Sequence, residues 1–357
     1  MKTRWTARRL AARAVVMLAP LMAPLMVAPL MMMAGAAASA ETVIKLAHPN
    51  RNDAFDNTAG AMAIVFRNNV ETATDRRVRV EIFPEGQVGR DGEAVKLVKQ
   101  GTIQSAISSV GGVAPLYPML AILDLPFAYT SVTNAYDVFD GPFGHKLAED
   151  IRRKAGIAVL GFGDPGGLFT ITNSKRPIRT PDDVKDLKIR TMDLDTHRTM
   201  IASLGGTPLN VAWSELYNAL GTGAVDGQMN PVPIIRFARF DEVQRHLTLS
   251  NHLFLPYVWV INAKFLDDLA PSDRAAVLNA ARLGVVASRG LSRLIEASDR
   301  GLPPLAQRME VHTLSAREAE EFRKVAQPAV REAIGRRFGA EGVEMLAAFE
   351  RAVREAQ

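Results

Sequence analysis

Residues 42–47 (TVIKLA), 79–84 (RVEIFP) and 105–109 (SAISS) read as three short strands, and the stretches between them read as helices. Val43, Ile44 and Leu46 give the first run the apolar, β-branched character of a buried strand. Ala54–Thr74 carries Phe55, Ala59, Met62, Ala63, Phe66 and Val70 near a 3.6-residue period. That spacing predicts an amphipathic helix with these side chains inward. Gly92–Gly101 repeats the pattern with Ala94, Val95, Leu97 and Val98, and Gly101 supplies a stop. Alternation of this kind predicts an α/β architecture with largely parallel sheets.

Working outward, Ile157–Phe162, Gly167–Thr172 and Leu187–Arg190 read as further strands. Thr180-Pro181-Asp182-Asp183 reads as a helix start, with Thr as cap, Pro in the first turn and an acid at the third position. After Ala270 the pattern turns helical throughout, as Pro271–Arg300 and Ser315–Gln357. The Arg/Glu runs there read as solvated helix faces. The 317 residues after Ala40 exceed the size at which one core keeps growing, so two lobes are expected.

The first 40 residues stand apart. Lys2, Arg4, Arg8, Arg9 and Arg13 precede a run of Ala, Val, Leu, Met and Pro from Ala14 to about Ala34, and Ala38-Ser39-Ala40 ends it with small residues. This is the order of a secretory signal, predicting cleavage after about Ala40 and an exported protein. Pro20, Pro24 and Pro29 weaken the alternative of a membrane anchor. Arg8-Arg9 offers a poor match to a twin-arginine signal, because Leu10-Ala11 follows. The net charge of +5 belongs wholly to this leader, which has no acid. Without its five basic residues the chain holds 38 basic and 38 acidic side chains. A balanced body gives no electrostatic reason to bind nucleic acid. The absence of Cys removes disulfides, thiol nucleophiles and Cys-ligated metals.

Familiar catalytic patterns are missing or misplaced. Gly161-Phe162-Gly163-Asp164-Pro165-Gly166 matches G-x-G-x-x-G, yet Gly166 leads into a β-rich run instead of a helix, so it reads as a crossover loop. His48, His145, His197, His246, His252 and His312 show no metal-ligand spacing, and no metal or cofactor is expected. No G-x-S-x-G elbow or P-loop occurs. Asp195 and His197 lie two apart, off a common helical face, which argues against a catalytic pair. One arginine stands out. Leu187-Lys188-Ile189-Arg190-Thr191 puts Arg190 at a strand end, where ligands of α/β folds bind, and its planar fork matches a carboxylate. Taken alone, an ordinary surface arginine is the better explanation.

Three segments at fixed spacing raise its standing: Leu187–Arg190, then Trp213-Ser214-Glu215-Leu216-Tyr217-Asn218-Ala219-Leu220, then Gly223–Pro231 with its Val225-Asp226-Gly227-Gln228-Met229-Asn230-Pro231. Together with Pro84–Gly89, Leu125-Pro126-Phe127, Thr172–Ile178 and Asn251-His252, they resemble the solute-binding subunits of tripartite ATP-independent periplasmic (TRAP) transporters, of the C4-dicarboxylate-binding type. The resemblance covers about residues 42–310. It implies an α/β, two-lobed periplasmic binding protein fold, with hinge strands and a long helix shared between lobes. The implied lobes are 41–166 plus 256–295 and 167–255 plus 296–357, with the ligand in the cleft between.

The same resemblance implies no enzyme activity. It implies periplasmic capture of a small organic acid and its delivery to TRAP membrane permease subunits, by a monomer or weak dimer. A sensor subunit that presents ligand to a membrane receptor is the alternative. The family's carboxylate-binding arginine matches Arg190, its pocket asparagine Asn230, its aromatic before Ser-Glu Trp213, and its polar residue three past the arginine Asp193. His48 and Ser109, with Ser108 beside it, are expected on the facing wall because they follow the first and third strands. One departure matters: Phe169 stands where many members carry a second arginine. A ring in place of a cation disfavours a second carboxylate. The expected ligand is therefore a monocarboxylate with an apolar, aromatic, hydroxy or oxo body, and a dicarboxylate is the alternative.

Overall fold

The computed structural model describes residues 42–356; the leader and its cleavage site lie outside the described residues. The chain builds two sheets in turn. Strand β1 (Thr42–Ala47), helix α1 (Thr58–Ala73), β2 (Val78–Phe83), α2 (Asp91–Gln100) and β3 (Ser105–Ser108) form the alternating start. The short α3 (Val110–Val113), then α4 (Val132–Asp140) and α5 (Pro142–Ala155), lead to β4 (Ile157–Gly163). The chain crosses over and makes β5 (Phe169–Asn173), β6 (Lys188–Thr191), α6 (Asp195–Ser203), β7 (Thr207–Asn210), α7 (Leu216–Gly221), β8 (Gly227–Pro231), α8 (Val232–Phe237) and β9 (His246–Leu249). It then returns as β10 (Tyr257–Asn262), α9 (Ala263–Asp268) and α10 (Pro271–Glu296). It ends with α11 (Leu302–Ala306), β11 (Glu310–Thr313) and α12 (Ala316–Glu355), which bends at Gly339.

The first sheet has order β2-β1-β3-β10-β4 and the second β11-β9-β5-β8-β6-β7. Both are mixed, where the alternation predicts largely parallel pairing. The antiparallel pairs include β4 with β10 and β5 with β9. Their cause is the double crossover. β4 leaves the first sheet beside the point where β10 re-enters it, and β5 enters the second sheet where β9 leaves. Strands that exit and return at one place must run oppositely. The chain crosses a third time between α10 and β11; residues 164–168 and 250–256 are the first two crossing segments. They are stitched by the Phe169 N–H to Leu253 O (2.8 Å) and the His252 N–H to Phe169 O (3.3 Å). Phe127, with φ of 55°, turns its N–H onto His252 O at 2.6 Å, so the Leu-Pro-Phe and Asn-His motifs meet at the hinge.

The G-x-G-x-x-G run is a crossover, as its β-rich exit predicts. Asp164 is fully buried there, and its Oδ1 accepts from Gly166 N (2.8 Å) and Gly167 N (2.6 Å). Both glycines have positive φ, which side chains resist.

Three apolar cores hold the layers. One is built from α1, α10 and the outer face of the first sheet around Phe66 and Trp259, whose rings meet edge-on at 4.9 Å. Another lies under α7 and α8 around Phe240. The largest runs from the inner face of the first sheet through α12 into the second. Helix α12 packs on α4 and α5 of the first lobe and on α6 of the second, which makes it the shared helix. Its start is fixed by Ser315, whose hydroxyl and backbone N–H both meet Glu318.

Three local expectations are corrected. The first helix starts at Thr58 because Asn57 caps it through Gly60 N (2.7 Å), so Phe55 precedes the helix and is 75% exposed. The Thr180 start signal yields one 3-10 turn, Pro181–Val184, with the Thr180–Asp183 capping pair intact but no helix behind it. The region after Ala270 is not wholly helical, since β11 pairs in parallel with β9. Among the described residues no helix is long and apolar enough to cross a membrane.

Candidate functional site

A cavity of about 780 Å3 opens between the two sheets, within the size range of small-molecule sites. Arg190, Asn230, Trp213, Phe169, Asp193 and Ser109 all line it. Their positions follow from the strands. Arg190 is the third residue of β6 and Asn230 the fourth of β8, so both sit at the carboxyl ends of parallel neighbours. Phe169 opens β5 and pairs with Pro231.

Arg190 is 8% exposed. Its Nε donates to Val211 O at 2.9 Å, which fixes the guanidinium plane. Among the described residues none accepts from its two Nη groups, so the fork is free to take a carboxylate. Burial draws its pKa down to about 10, and Asp91 holds it up, so the group stays charged at neutral pH. Asn230 donates from Nδ2 to Gln228 Oε1 at 2.6 Å. Gln228 in turn donates to Thr172 Oγ1, and Thr172 to Gln244 Oε1, each at 2.9 Å. This buried ladder sets the orientation of the Asn230 amide. Trp213 stands half-buried with its ring edge-on to Phe240 at 5.8 Å. Asp193, more exposed, faces Arg198 at 3.3 Å.

The opposite wall centres on Asp91, the first residue of α2. Its carboxylate accepts from Ser108 Oγ (2.6 Å), from Ser109 N (3.0 Å) and from Ser109 Oγ. Gly112 lets it in: a Cβ there would lie 2.6 Å from the Asp91 carboxyl carbon. Burial raises the Asp91 pKa, against its three hydrogen bonds and the field of Arg190. Beside it Asn50 Nδ2 donates to Tyr257 Oη at 2.8 Å, and both residues line the cavity. At the rim, Arg90 of the first lobe pairs with Glu215 of the second.

His48 does not join this group. It is 2% exposed and lies in a separate small cavity behind the Gly86–Gly89 loop, with Asp91 on the shared wall. Burial lowers its pKa to about 4, so it carries no charge at neutral pH. Ser108 is fully buried and reaches the cleft only through Asp91. Asp91, Asn50, Tyr257 and the Arg90–Glu215 pair were not anticipated. The available signal for Asp91 was an acid in the first turn of a helix, which the helix dipole alone explains.

Two lobes, three crossovers and a central cleft with an uncommitted arginine define a periplasmic-type solute-binding protein. The family model for bacterial extracellular solute-binding protein, family 7, matches residues 52–336, and the chain belongs to that family. The chain is 31% identical over 304 residues to the C4-dicarboxylate-binding periplasmic protein DctP of Rhodobacter capsulatus, covering 84% of this chain and 89% of that one. Among solved structures it is similar to a TRAP periplasmic solute-binding protein from Polaromonas sp. JS666 bound to D-erythronate. Identity is 32%, the TM-score is 0.79, and coverage is 87% of this chain and 98% of that one. It is also similar to the sugar acid binding protein DctPAm from Advenella mimigardefordensis in complex with galactonate, at 29% identity and a TM-score of 0.80, covering 88% and 98%. The chain is thus a TRAP solute-binding protein for organic acids and not an enzyme.

Proposed function

We propose that the ligand is a monocarboxylate with a hydroxylated body, held by residues of both lobes and handed to a TRAP membrane permease. The lobes that close on it are residues 41–166 with 256–295 and 167–255 with 296–357. Arg190 takes the carboxylate, Asn230 orients it, Trp213 and Phe169 cover the carbon chain, and Ser109 and Asp193 meet hydroxyls. The observation that carries this reading is the charge balance of the cavity wall. Arg190 is its one buried cation, Arg90 is committed to Glu215, and Lys96 is exposed. Five acids share the wall, of which Glu215 is taken by Arg90 and Asp193 by Arg198; Glu85, Asp91 and Glu93 remain. A second ligand carboxylate would face repulsion there, whereas hydroxyls find acceptors. The D-erythronate and galactonate bound by the two similar structures have this chemistry.

Binding energy drives closure only through contacts made better in the closed form. Arg190 meets that condition, since excluding water strengthens its pairing with a carboxylate. The C4-dicarboxylate name of the Rhodobacter relative favours a dicarboxylate as the second reading. Calorimetry with D-erythronate, galactonate and succinate separates the two. Tighter binding of succinate than of either hydroxy acid would overturn the proposal. Phe169→Arg adds a second buried cation and is expected to raise the affinity for succinate relative to D-erythronate. An unchanged ratio would mean that the Phe169 ring serves only the core.

A further inference from the structure

Three residues separate helix α6 from β6, which carries Arg190, and its N-cap position is Leu194, which has no side chain able to cap. The missing group arrives from elsewhere in the chain. Asp124 ends the 3-10 segment Pro118–Asp124, which packs against α3, α12 and α6. Its Oδ2 accepts from the Thr196 hydroxyl in the first turn of α6. Its Oδ1 lies 3.7 Å from His197 Nε2, just beyond hydrogen-bond reach, and both of these buried atoms lack a hydrogen-bond partner. Asp124 is fully buried and His197 is 1% exposed. On the far side of the ring, His197 Nδ1 accepts from the Met192 backbone N–H at 3.3 Å. An Nδ1 that accepts puts the proton of a neutral imidazole on Nε2, aimed at Asp124. Met192 lines the cavity, two residues past Arg190 and one before Asp193.

We propose that Asp124 is a positioning residue for the ligand-binding arginine, acting through His197 and the Met192 backbone, and that its protonation loosens ligand binding. The proposal rests on the reading of Arg190 as the carboxylate anchor. An ionised Asp124 holds the His197 proton on Nε2 and keeps Nδ1 open for Met192. A protonated Asp124 can donate to Nε2 instead. The ring proton then moves to Nδ1, where it opposes the Met192 N–H and frees the segment that carries Arg190 and Asp193. The cluster thus gains one proton from solvent, carried on Asp124, while the ring keeps a single proton that shifts from Nε2 to Nδ1, so the charge of the pair rises by one.

The pH window lies near neutrality. Burial pushes Asp124 up to about 7, against the Thr196 hydroxyl and His197 backbone amide. Burial, with Arg190, His252 and Arg198 as neighbouring cations or potential cations, holds His197 down at about 3. His252 is held near 3 by its own burial. Arg198 is committed to Asp193 and Asp195, and Arg337 of α12 also meets Asp195. Between pH 6 and 8 the group in this cluster that changes charge is therefore Asp124.

Two consequences have opposite sign. A carboxyl raised from an ordinary value near 4 costs stability as pH rises from there towards 7, so the ligand-free protein gains stability on acidification through this range. Affinity does the reverse, because the ionised form holds the site. Calorimetry with D-erythronate and galactonate on the full mature chain at pH 8 and pH 6 is expected to show a three- to tenfold weaker Kd at pH 6. Asp124→Asn, which keeps an acceptor for Thr196 but cannot titrate, is expected to abolish that difference. The same pH profile in both proteins would overturn the proposal.

A ligand-free arm guards against a wrong ligand class or a misfolded variant. Nitrogen NMR of His197 in the unsubstituted protein is expected to show the Nε2–H tautomer at pH 8 and its loss towards pH 6, with Met192 amide exchange rising in step. A single tautomer and constant Met192 protection across that range would overturn the proposal whatever the organic acids do. Normal NMR behaviour with no binding of any probe acid would instead fault the assignment of ligand.

Discussion

Across the cleft the two lobes hold charge in opposite ways. The second lobe presents Arg190, a cation with one backbone hydrogen bond and a free fork. The first presents Asp91, an acid already satisfied by two serines. Each stabilises the charged form of the other. An unsatisfied group offers a ligand more than a satisfied one, because the ligand supplies the missing partner instead of competing with one. The second lobe should therefore supply most of the affinity. The first should supply discrimination, since its acid tolerates hydroxyls and rejects a carboxylate.

The severest test of that division is Arg190→Ala. Truncating one partner of a buried charge pair costs about 2–5 kcal/mol. Calorimetry with the best-binding hydroxy acid is expected to show at least a thirtyfold loss of affinity. Asp91 would also lose its neighbouring cation, so its pKa should rise further. Binding within a few-fold of the unsubstituted protein would mean that the two walls share the work evenly.

Asp91→Asn sharpens the comparison from the other side. It keeps the shape and removes the charge. Because hydrogen bonds to charged groups contribute about 1.5–3 kcal/mol and Asn retains part of each, the affinity for D-erythronate should fall by less than in Arg190→Ala. The affinity for succinate should rise, since repulsion of the second carboxylate is gone. A fall for both ligands in equal measure would make Asp91 a scaffold for Ser108 and Ser109 and not a discriminator.

The two walls also differed in how readable they were from sequence. The second-lobe residues sit on strands whose partners are close in the chain and whose motifs run together, so the family resemblance those motifs carry implied Arg190, Asn230 and Trp213 as one ligand site. Asp91 could not be, because the group that gives it meaning lies a hundred residues away across the cleft. His48 failed for a related reason. A residue that follows a strand is at the right end of the sheet, but this one is buried beside the Gly86–Gly89 loop and lines a separate small cavity instead of the cleft. The alternation in residues 42–109 was legible because periods of 2 and 3.6 are local properties. The antiparallel pairs were not, since they come from the double crossover. Strand β11 escaped notice because Glu310-Val311-His312-Thr313 contains a single apolar residue and takes its register from β9.

The smallest expected effect concerns the place where the walls touch. Arg90 and Glu215 meet across the rim, both substantially exposed. Exposed pairs contribute about 0–1 kcal/mol, and salt screens them. Neither side chain is needed to build its own wall: the Arg90 backbone N–H is held by Glu93 at 2.8 Å, and Glu215 ends a short 3-10 turn. Arg90→Gln and Glu215→Gln are each expected to weaken binding by less than about fivefold. The double variant should be no weaker than either single one, because the pair is lost once. Raising the salt concentration should shrink the difference between the unsubstituted protein and the variants. A loss as large as that of Arg190→Ala would show that the rim pair decides closure, and the division between an anchoring wall and a discriminating wall would then have to include the latch that brings them together.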